Sequence, residues 1–538
     1  MPPSLRNRGG GRSPLFAALR QAVRVAGAAN VPGAPPVDEL LGLRLERLTR
    51  RRFLKAAMAA AAAVGVQGVA GRLGADVAAA APAAPRVVIV GGGIAGLQAA
   101  YRLRRAGIRA LVYDAATRTG GRIRSAANAI APELVTEFGG EFINSDHEDV
   151  LALAREFGLD LMDMEAPGEA HLEEAYFFDG RHRREAEVVN AFRPVAERIA
   201  ADADRLGDRI DFRTPGPAVR LDRMSLAEYL RRIGATGWLG ALLEVAYVTE
   251  FGLDAAEQSA LNFITLVGTD LREGFRIVGD SDERYKVRGG NQQIADALAR
   301  RLDGQIELGH RLVGLRARGR GYLLSFERRG SGVTDVAADV VILAVPFTMV
   351  REVDLRVELP SHKWKAIREL GYGTNAKLMQ GLLERPWRAR GYSGAAYSDA
   401  GFQLCWDNSR GQSGPVGGIT LYFGGHLGLE VGRGSADDQM TRLLPGVDRV
   451  FRGVADARAG RAVRWHWPTY PFTKGSYACY KPGQWTGIRG AEGVPVGNLF
   501  FAGEHCSYDY QGYMNGGAES GRLAAQAVLR RLGLQRAS

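Results

Sequence analysis

The chain has 538 residues, 46% of them hydrophobic and 24% charged, which is enough to bury a large core and too long for one small module. Its formal charge of +11 is unevenly placed: residues 1 to 81 hold twelve Lys/Arg against four Asp/Glu, leaving +3 on the remainder, so a nucleic-acid-binding face is not expected. Three cysteines, Cys405, Cys479 and Cys506, lie far apart without CxxC spacing; neither a disulfide framework nor a metal site is implied, and a single disulfide stays open.

Residues 1 to 81 read as an export signal and linker. Thr49, Arg50, Arg51, Arg52, Phe53, Leu54 and Lys55 form a twin-arginine pattern, followed by an Ala-rich run from Ala56 to Ala70 and small residues from Ala78 to Ala84. Gly65, Gly68 and Gly71 interrupt that run, which suits a cleaved targeting segment better than a stable span of ~20 apolar residues. The twin-arginine export machinery is therefore an expected partner, and the mature protein is expected to be periplasmic or extracellular. A basic N-terminal arm or an uncleaved anchor is the alternative.

Arg86 to Val90 is a short β-branched run leading into Gly91, Gly92, Gly93, Ile94, Ala95 and Gly96. Leu97, Ala100, Tyr101 and Leu103 then recur at helical spacing, Gly107 stops the helix, and Ala110 to Tyr113 form a second strand ending at Asp114. This is a βαβ dinucleotide fingerprint. Gly91 permits the tight turn, Gly93 lets backbone approach a pyrophosphate, Gly96 allows close helix packing, and the helix N-terminus offers free N–H groups. Asp114, 18 residues beyond Gly96, is placed to accept hydrogen bonds from ribose hydroxyls.

Just past that acid, Thr119, Gly120, Gly121, Arg122 and Ile123 continue the pattern and point to FAD rather than NAD. On this turn and the blocks that follow it, residues 86 to 535 resemble the flavin amine oxidase family, which takes in monoamine, polyamine and L-amino-acid oxidases. The resemblance implies an α/β fold: a discontinuous Rossmann-like FAD-binding domain (86–145, 283–346 and 491–535) and an α+β substrate-binding domain (146–282 and 347–490). It places Gly121 and Arg122 against the flavin diphosphate, a role suited to a guanidinium fork. Phe138 to Phe142, with Gly139, Gly140 and Glu141, resemble the segment that passes the flavin. Tyr285 to Asn291 precede a helix from Gln292 to Leu302. Ile306 to Leu315 reads as one strand, in which Val313 matches the position whose backbone holds adenine, and Asp339 to Pro346 resembles the strand closing this segment. Leu499 to Glu504 is a buried strand; by resemblance Gly503 and Glu504 lie near the ribityl chain and diphosphate, and the N–H of Met514, at a helix start, faces flavin O2.

The same resemblance supplies the reacting groups. Tyr477 and Tyr513 match paired rings that flank the flavin and align the substrate, and Lys377 matches a lysine that holds a water and assists reaction with oxygen. A solvent-facing lysine on a strand is the plain alternative. Ser476 stands where relatives with covalent flavin carry cysteine, and Cys479 is three residues too late, so noncovalent FAD is expected. His466 and His505 are taken as structural.

Phe142 occupies the place where L-amino-acid oxidases often have an arginine for the substrate carboxylate, although Arg124 or Arg288 could supply that charge. The expectation is oxidative deamination of a primary amine with molecular oxygen, giving imine or aldehyde, ammonia and hydrogen peroxide. L-amino-acid oxidation is the alternative, followed by carotenoid desaturase-like or protoporphyrinogen oxidase-like chemistry in the same fold, or flavin binding without catalysis. A homodimer stays open.

Overall fold

The computed structural model describes residues 85–267, 282–328 and 330–534. The twin-arginine pattern lies outside the described residues.

Val87–Val90 is buried at all four positions, as expected of a strand covered on both faces. It pairs in parallel with Ala110–Asp114 on one side and Val340–Leu343 on the other. Leu499–Phe501 and Ile306–Leu308 complete a five-stranded parallel sheet. Numbered along the chain, its strands lie in the doubly wound order 3-2-1-4-5. The order reverses between Val87–Val90 and Val340–Leu343, and the crevice beyond their carboxyl ends is where such sheets take ligands.

Helix Ile94–Arg105 follows the first strand, and Gly107 turns the chain out of it at φ +83°. Helix Met514–Arg531 packs across it. A Cβ on Gly521 would stand 2.2 Å from the Ala95 carbonyl oxygen, and one on Gly517 would stand 2.7 Å from Ile94 Cγ2, so these two glycines set the helix spacing. The expected helix after Asn291 spans Gln292–Arg300.

The single strand expected from Ile306 to Leu315 is two strands. Ile306–Leu308 belongs to the parallel sheet, whereas His310–Arg318 joins Gly321–Arg328, Gly332–Ala338 and Asp354–Arg356 in a separate four-stranded sheet. Gly309, at φ +73°, redirects the chain between them, a break that unbroken apolar alternation conceals.

A seven-stranded sheet carries the rest of the β structure. Its spatial order is Arg458–His466, Ala376–Leu382, Gly417–Phe423, Leu404–Asp407, Tyr392–Ser398, Glu173–Phe178 and Arg181–Arg183. Helices Glu185–Asp204, Gly237–Phe251 and Ala260–Val267 contribute to the large apolar core beside it. All three cysteines are free. Among the described residues, no helix is long and apolar enough to cross a membrane.

Candidate active site

One cavity joins the carboxyl ends of the parallel strands to the seven-stranded sheet. At the strand end its wall is built from glycine turns. Gly91 adopts φ +107°, and a Cβ there would stand 2.6 Å from the Ala344 carbonyl oxygen. A Cβ on Gly96 would stand 1.9 Å from the Gly91 carbonyl oxygen, so the helix can begin this close to the turn only without a side chain. Asp114 pins the turn: Oδ2 accepts the Gly92 N–H at 2.5 Å, and Oδ1 accepts the Ala116 N–H at 2.7 Å. Burial raises its carboxyl, opposed by those two N–H groups.

The second glycine turn meets the first, since a Cβ on Gly121 would lie 3.3 Å from Gly93 Cα. Next to it, Arg122 Nη1 donates to the Ser476 carbonyl and to Glu504 Oε1, each at 2.7 Å. Glu504 also accepts from the Ala478 N–H at 3.2 Å and the Gly512 N–H at 2.7 Å. The carboxylate thus ties the arginine turn to the two segments bearing Tyr477 and Tyr513. Met514 begins its helix at the cavity wall, with the first-turn amides directed outward from the N-terminus. Paired glycine turns, a cation, a strand-end acid and a helix start form a cradle that fits FAD. Its diphosphate would meet Arg122 and backbone amides, and its ribose would meet Asp114.

The other end of the cavity is aromatic and ionisable. Tyr477 Oη donates to the Thr249 carbonyl at 3.1 Å and shares a 2.8 Å hydrogen bond with Tyr422 Oη. Tyr422 packs edge-on to Trp406 at 5.3 Å, and Trp406 to Phe142 at 6.0 Å. Tyr513 packs on the His147 ring at 5.0 Å; burial drives that imidazole down to about 3, so it is neutral.

Lys377 does not face solvent. Every residue of Ala376–Leu382 is buried, and Lys377 Nζ donates to the Glu137 carbonyl at 2.9 Å, the Gly139 carbonyl at 3.0 Å and Glu141 Oε2 at 2.8 Å. Its three N–H bonds have three acceptors. Lys286 Nζ takes the other Glu141 oxygen at 2.7 Å. Burial would raise Glu141, but the two ammonium groups outweigh it and hold the carboxyl at about 2.

Glu137 behaves oppositely. Burial lifts it to about 7 despite hydrogen bonds from the Asn291 N–H and Ser125 Oγ. Between its ordinary 4.5 and about 7 the native state holds a proton that the unfolded chain has lost, so this group makes stability fall as pH rises through that window. Glu137→Gln should flatten that part of the profile, as read by thermal melts at about pH 5 and about pH 8. An unaltered slope would count against it.

Glu283 stands on the same cavity wall, only 3% exposed and at φ +42°. Its N–H donates to Asn144 Oδ1 at 3.0 Å, while neither carboxyl oxygen has a hydrogen-bond partner. Burial, with the neighbouring carboxyls of Glu250, Glu174, Glu141 and Asp282, pushes it well above the ordinary range.

At the cofactor end, the sequence-predicted residues on this wall are Gly91, Gly93, Ile94, Ala95, Asp114, Gly121, Arg122, Gly503, Glu504 and Met514. Gly139, Gly140, Glu141, Phe142, Lys377, Tyr477 and Tyr513 join them. Gly96 and Val313 do not line it. Gly96 acts behind the wall through packing. Val313 falls where the strand register slips between Leu312 and Gly314, and the wall is made by His310, Arg311 and Leu312 instead. Sequence reasoning passed over Asn144, Glu283, Trp406 and Tyr422; the only local signal was Glu283 standing two residues before the Tyr285–Asn291 block.

Neither Arg124 nor Arg288 reaches the cavity. Arg124 stacks 4.2 Å over the Trp465 ring, and Arg288 pairs with Asp160 at 2.6 Å on the surface. His466 is held by Thr469 and the Gly428 carbonyl, and His505 is buried 4.5 Å from the Phe347 ring and pushed down to about 3 by that burial. Among the described residues, no cluster of His, Cys, Asp and Glu could hold a metal ion.

Residues 94–529 match the profile of the flavin containing amine oxidoreductases. AofH of Mycobacterium tuberculosis, inferred to be a flavin-containing monoamine oxidase, is 27% identical over 465 residues, which cover 82% of this chain and 96% of that one. Flavin-containing amine oxidase A of Sus scrofa is 25% identical over 472 residues, covering 83% and 85%. Among solved structures, cyclohexylamine oxidase from Brevibacterium oxydans IH-35A superposes with a TM-score of 0.72 at 21% identity, covering 84% of this chain and 100% of that one. Putrescine oxidase bound to putrescine gives 0.70 at 21%, covering 83% and 99%. Both likenesses concern the fold. The chain belongs to the flavin containing amine oxidoreductases, with FAD as its cofactor and amines as the compounds it oxidises.

Proposed function

We propose that the chain oxidatively deaminates a primary amine bound between Tyr477 and Tyr513, with molecular oxygen as the final acceptor. The amine, oxygen and water become aldehyde, ammonia and hydrogen peroxide by way of a released imine. The observation that carries this reading is the character of the wall around those tyrosines: Phe142, Trp406 and Tyr422 with the buried Glu283. Among the described residues, the arginines on the wall stand elsewhere: Arg118 and Arg122 at the glycine turns and Arg311 on the four-stranded sheet. An amino-acid carboxylate would enter an apolar, acid-bearing pocket and lose its hydration with no guanidinium among the described residues there to replace it. L-amino-acid oxidation is therefore the second reading.

FAD, when bound, supplies the two-electron acceptor that dioxygen restores. The protein's part is to exclude water with aromatic side chains, to orient the amine with two tyrosines, and to keep a buried cation, Lys377, beside the cavity. Peroxide release across primary amines and the matching L-amino acids, with the flavin spectrum followed anaerobically, tests the reading. Turnover of amino acids alone would overturn it.

Noncovalent FAD is part of the proposal. Ser476 Oγ is engaged with Asn375 Oδ1 at 2.6 Å, and a hydroxyl offers no thioether to the cofactor. Acid precipitation should leave all the yellow colour in solution; colour retained in the pellet would show a covalent bond. Tyr477→Phe removes the hydrogen bonds to Tyr422 and Thr249, and a several-fold rise in KM with FAD content intact is expected, about 1 kcal/mol of lost positioning. Unchanged KM would leave the hydroxyl without a positioning role. Export by the twin-arginine machinery to the periplasm or beyond, and pairing into a homodimer, complete the proposal. Cell fractionation after Arg51 and Arg52 are both changed to Lys tests the first, and sedimentation of the mature protein tests the second.

A further inference from the structure

We propose that Tyr480 and Gln511 are positioning residues that set the width of the slot between Tyr477 and Tyr513, and so decide how bulky an amine the site accepts. This rests on the amine-oxidising reading of the cavity and deepens it.

The two slot rings come from segments far apart in sequence, and two ties hold those segments together. The inner tie is Glu504, which accepts the Ala478 N–H at 3.2 Å and the Gly512 N–H at 2.7 Å. The outer tie is a chain of side chains. Gln511 Nε2 donates to Tyr480 Oη at 2.9 Å, and Tyr480 Oη donates to Glu492 Oε1 at 3.0 Å. An amide N–H can only donate, so the phenol oxygen accepts from Gln511 and its single proton goes to the carboxyl oxygen. Burial pushes the Tyr480 phenol well above its ordinary range, which keeps that proton in place. Tyr480 follows Tyr477 by three residues and Gln511 precedes Tyr513 by two, so one hydrogen bond joins the two ring-bearing segments.

The segments are not equally anchored. The Tyr477 side is built into main chain: the Tyr477 carbonyl accepts the Gly373 N–H at 2.8 Å, and the Tyr480 carbonyl accepts the Ser259 N–H at 3.0 Å. The Tyr480 ring also packs on Trp485 at 5.3 Å. The Tyr513 side is a turn, in which Gly512, at φ +88°, bends the chain between Gln511 and Tyr513 ahead of helix Met514–Arg531. This turn is the jaw that shifts when the outer tie is cut. Tyr480 and Glu492 are only 4% and 1% exposed, so water does not take the place of a lost partner. Tyr480, Glu492 and Gln511 all stand behind the cavity wall, whereas Glu504 lines it and pairs with Arg122 at the glycine turn. The outer tie therefore acts on the slot without touching the cofactor cradle.

Tyr480→Phe cuts this tie and keeps the ring on Trp485; Gln511→Met cuts it from the other side and leaves Tyr480 bonded to Glu492. In the FAD-loaded mature protein, each should lower the ratio of kcat/KM for an unbranched alkylamine over its α-branched isomer by about fivefold to tenfold, the size of one lost buried hydrogen bond, with FAD content unchanged. The loss for the unbranched amine should lie mainly in KM. The double variant should show no larger shift than either single one, since both remove the same bond. Aniline and tert-butylamine give a readout independent of turnover, because neither has a hydrogen on the carbon bearing nitrogen. The parent's preference for the flat ring, read from perturbation of the flavin spectrum, should shrink in both variants. If amines are oxidised and the ratio in both variants is the parent's, the proposal is overturned while the amine-oxidising reading stands. Equal losses for both isomers, or loss of FAD, would make the tie a general support of the fold and likewise overturn it. If no amine bleaches the flavin, that reading fails; a binding preference that still shrinks in both variants would support the tie, and an unchanged one would refute it. Because the two variants cut one bond from opposite sides, poor folding of one leaves the other to decide.

Discussion

Gly96→Ala should yield a protein that is purified colourless or nearly so and melts well below the parent. The added methyl would lie 1.9 Å from the Gly91 carbonyl oxygen and 3.2 Å from both the Gly91 carbonyl carbon and Ile89 Cγ2. The first contact is with backbone, which no rotamer change relieves. Gly91 has no room to retreat, because at φ +107° it is itself packed against Ala344, where even its own Cβ would stand 2.6 Å from the carbonyl oxygen. The start of helix Ile94–Arg105 must therefore move off the turn, taking the amides of the cofactor cradle with it. Overpacking a tight site typically costs ~1–3 kcal/mol, and this contact sits at the severe end because both partners are main chain. The flavin-to-protein absorbance ratio and the melting temperature read the effect. Gly168→Ala, where an added methyl meets nothing within 4 Å, is the control. A Gly96→Ala protein as yellow and as stable as the control would mean that helix and turn are not locked in this way.

The contrast between Gly96 and Glu283 shows what one-dimensional patterning carries. The cofactor turn is local: a β-branched run, glycines at fixed offsets and a strand-end acid lie within residues 87–114, so their spacing in sequence is nearly their spacing in space. Strand register is not local. Val313 looks like an ordinary alternating position, but the slip between Leu312 and Gly314 takes it off the wall, and Gly309 divides one apparent strand between two sheets. Trp406 and Tyr422 come together only because Leu404–Asp407 pairs antiparallel with Gly417–Phe423. Glu141 lies within the Phe138–Phe142 motif, yet its ammonium partners, Lys286 and Lys377, are 145 and 236 residues away, and nothing in either neighbourhood announces the pairing. The aromatic end of the cavity is built from such long-range pairings, which is why Tyr477 and Tyr513 stand out in sequence only by resemblance and Trp406 and Tyr422 not at all.

Lys377→Met is expected to slow reoxidation of the reduced protein by oxygen by about 10²–10³-fold, the size found when one preorganised electrostatic group is removed from an active site. FAD binding should change far less, since Lys377 bonds to the Glu137 and Gly139 carbonyls and to Glu141 rather than to the glycine turns. The same substitution also leaves Glu141 with Lys286 alone, and breaking a buried pair commonly costs ~3–5 kcal/mol. A slower protein could therefore simply be a damaged one. Lys286→Met separates the two: it takes the other ammonium from Glu141 but lies off the cavity wall, so it should destabilise the protein comparably while leaving the oxygen reaction near the parent rate if the buried cation beside the cavity is what assists it. Stopped-flow mixing of anaerobically reduced protein with oxygenated buffer, together with melting curves of both variants, decides between them. An oxygen reaction slowed equally in the two would make Lys377 a structural counter-ion for Glu141. An oxygen rate unchanged in Lys377→Met would remove the lysine from the reaction altogether.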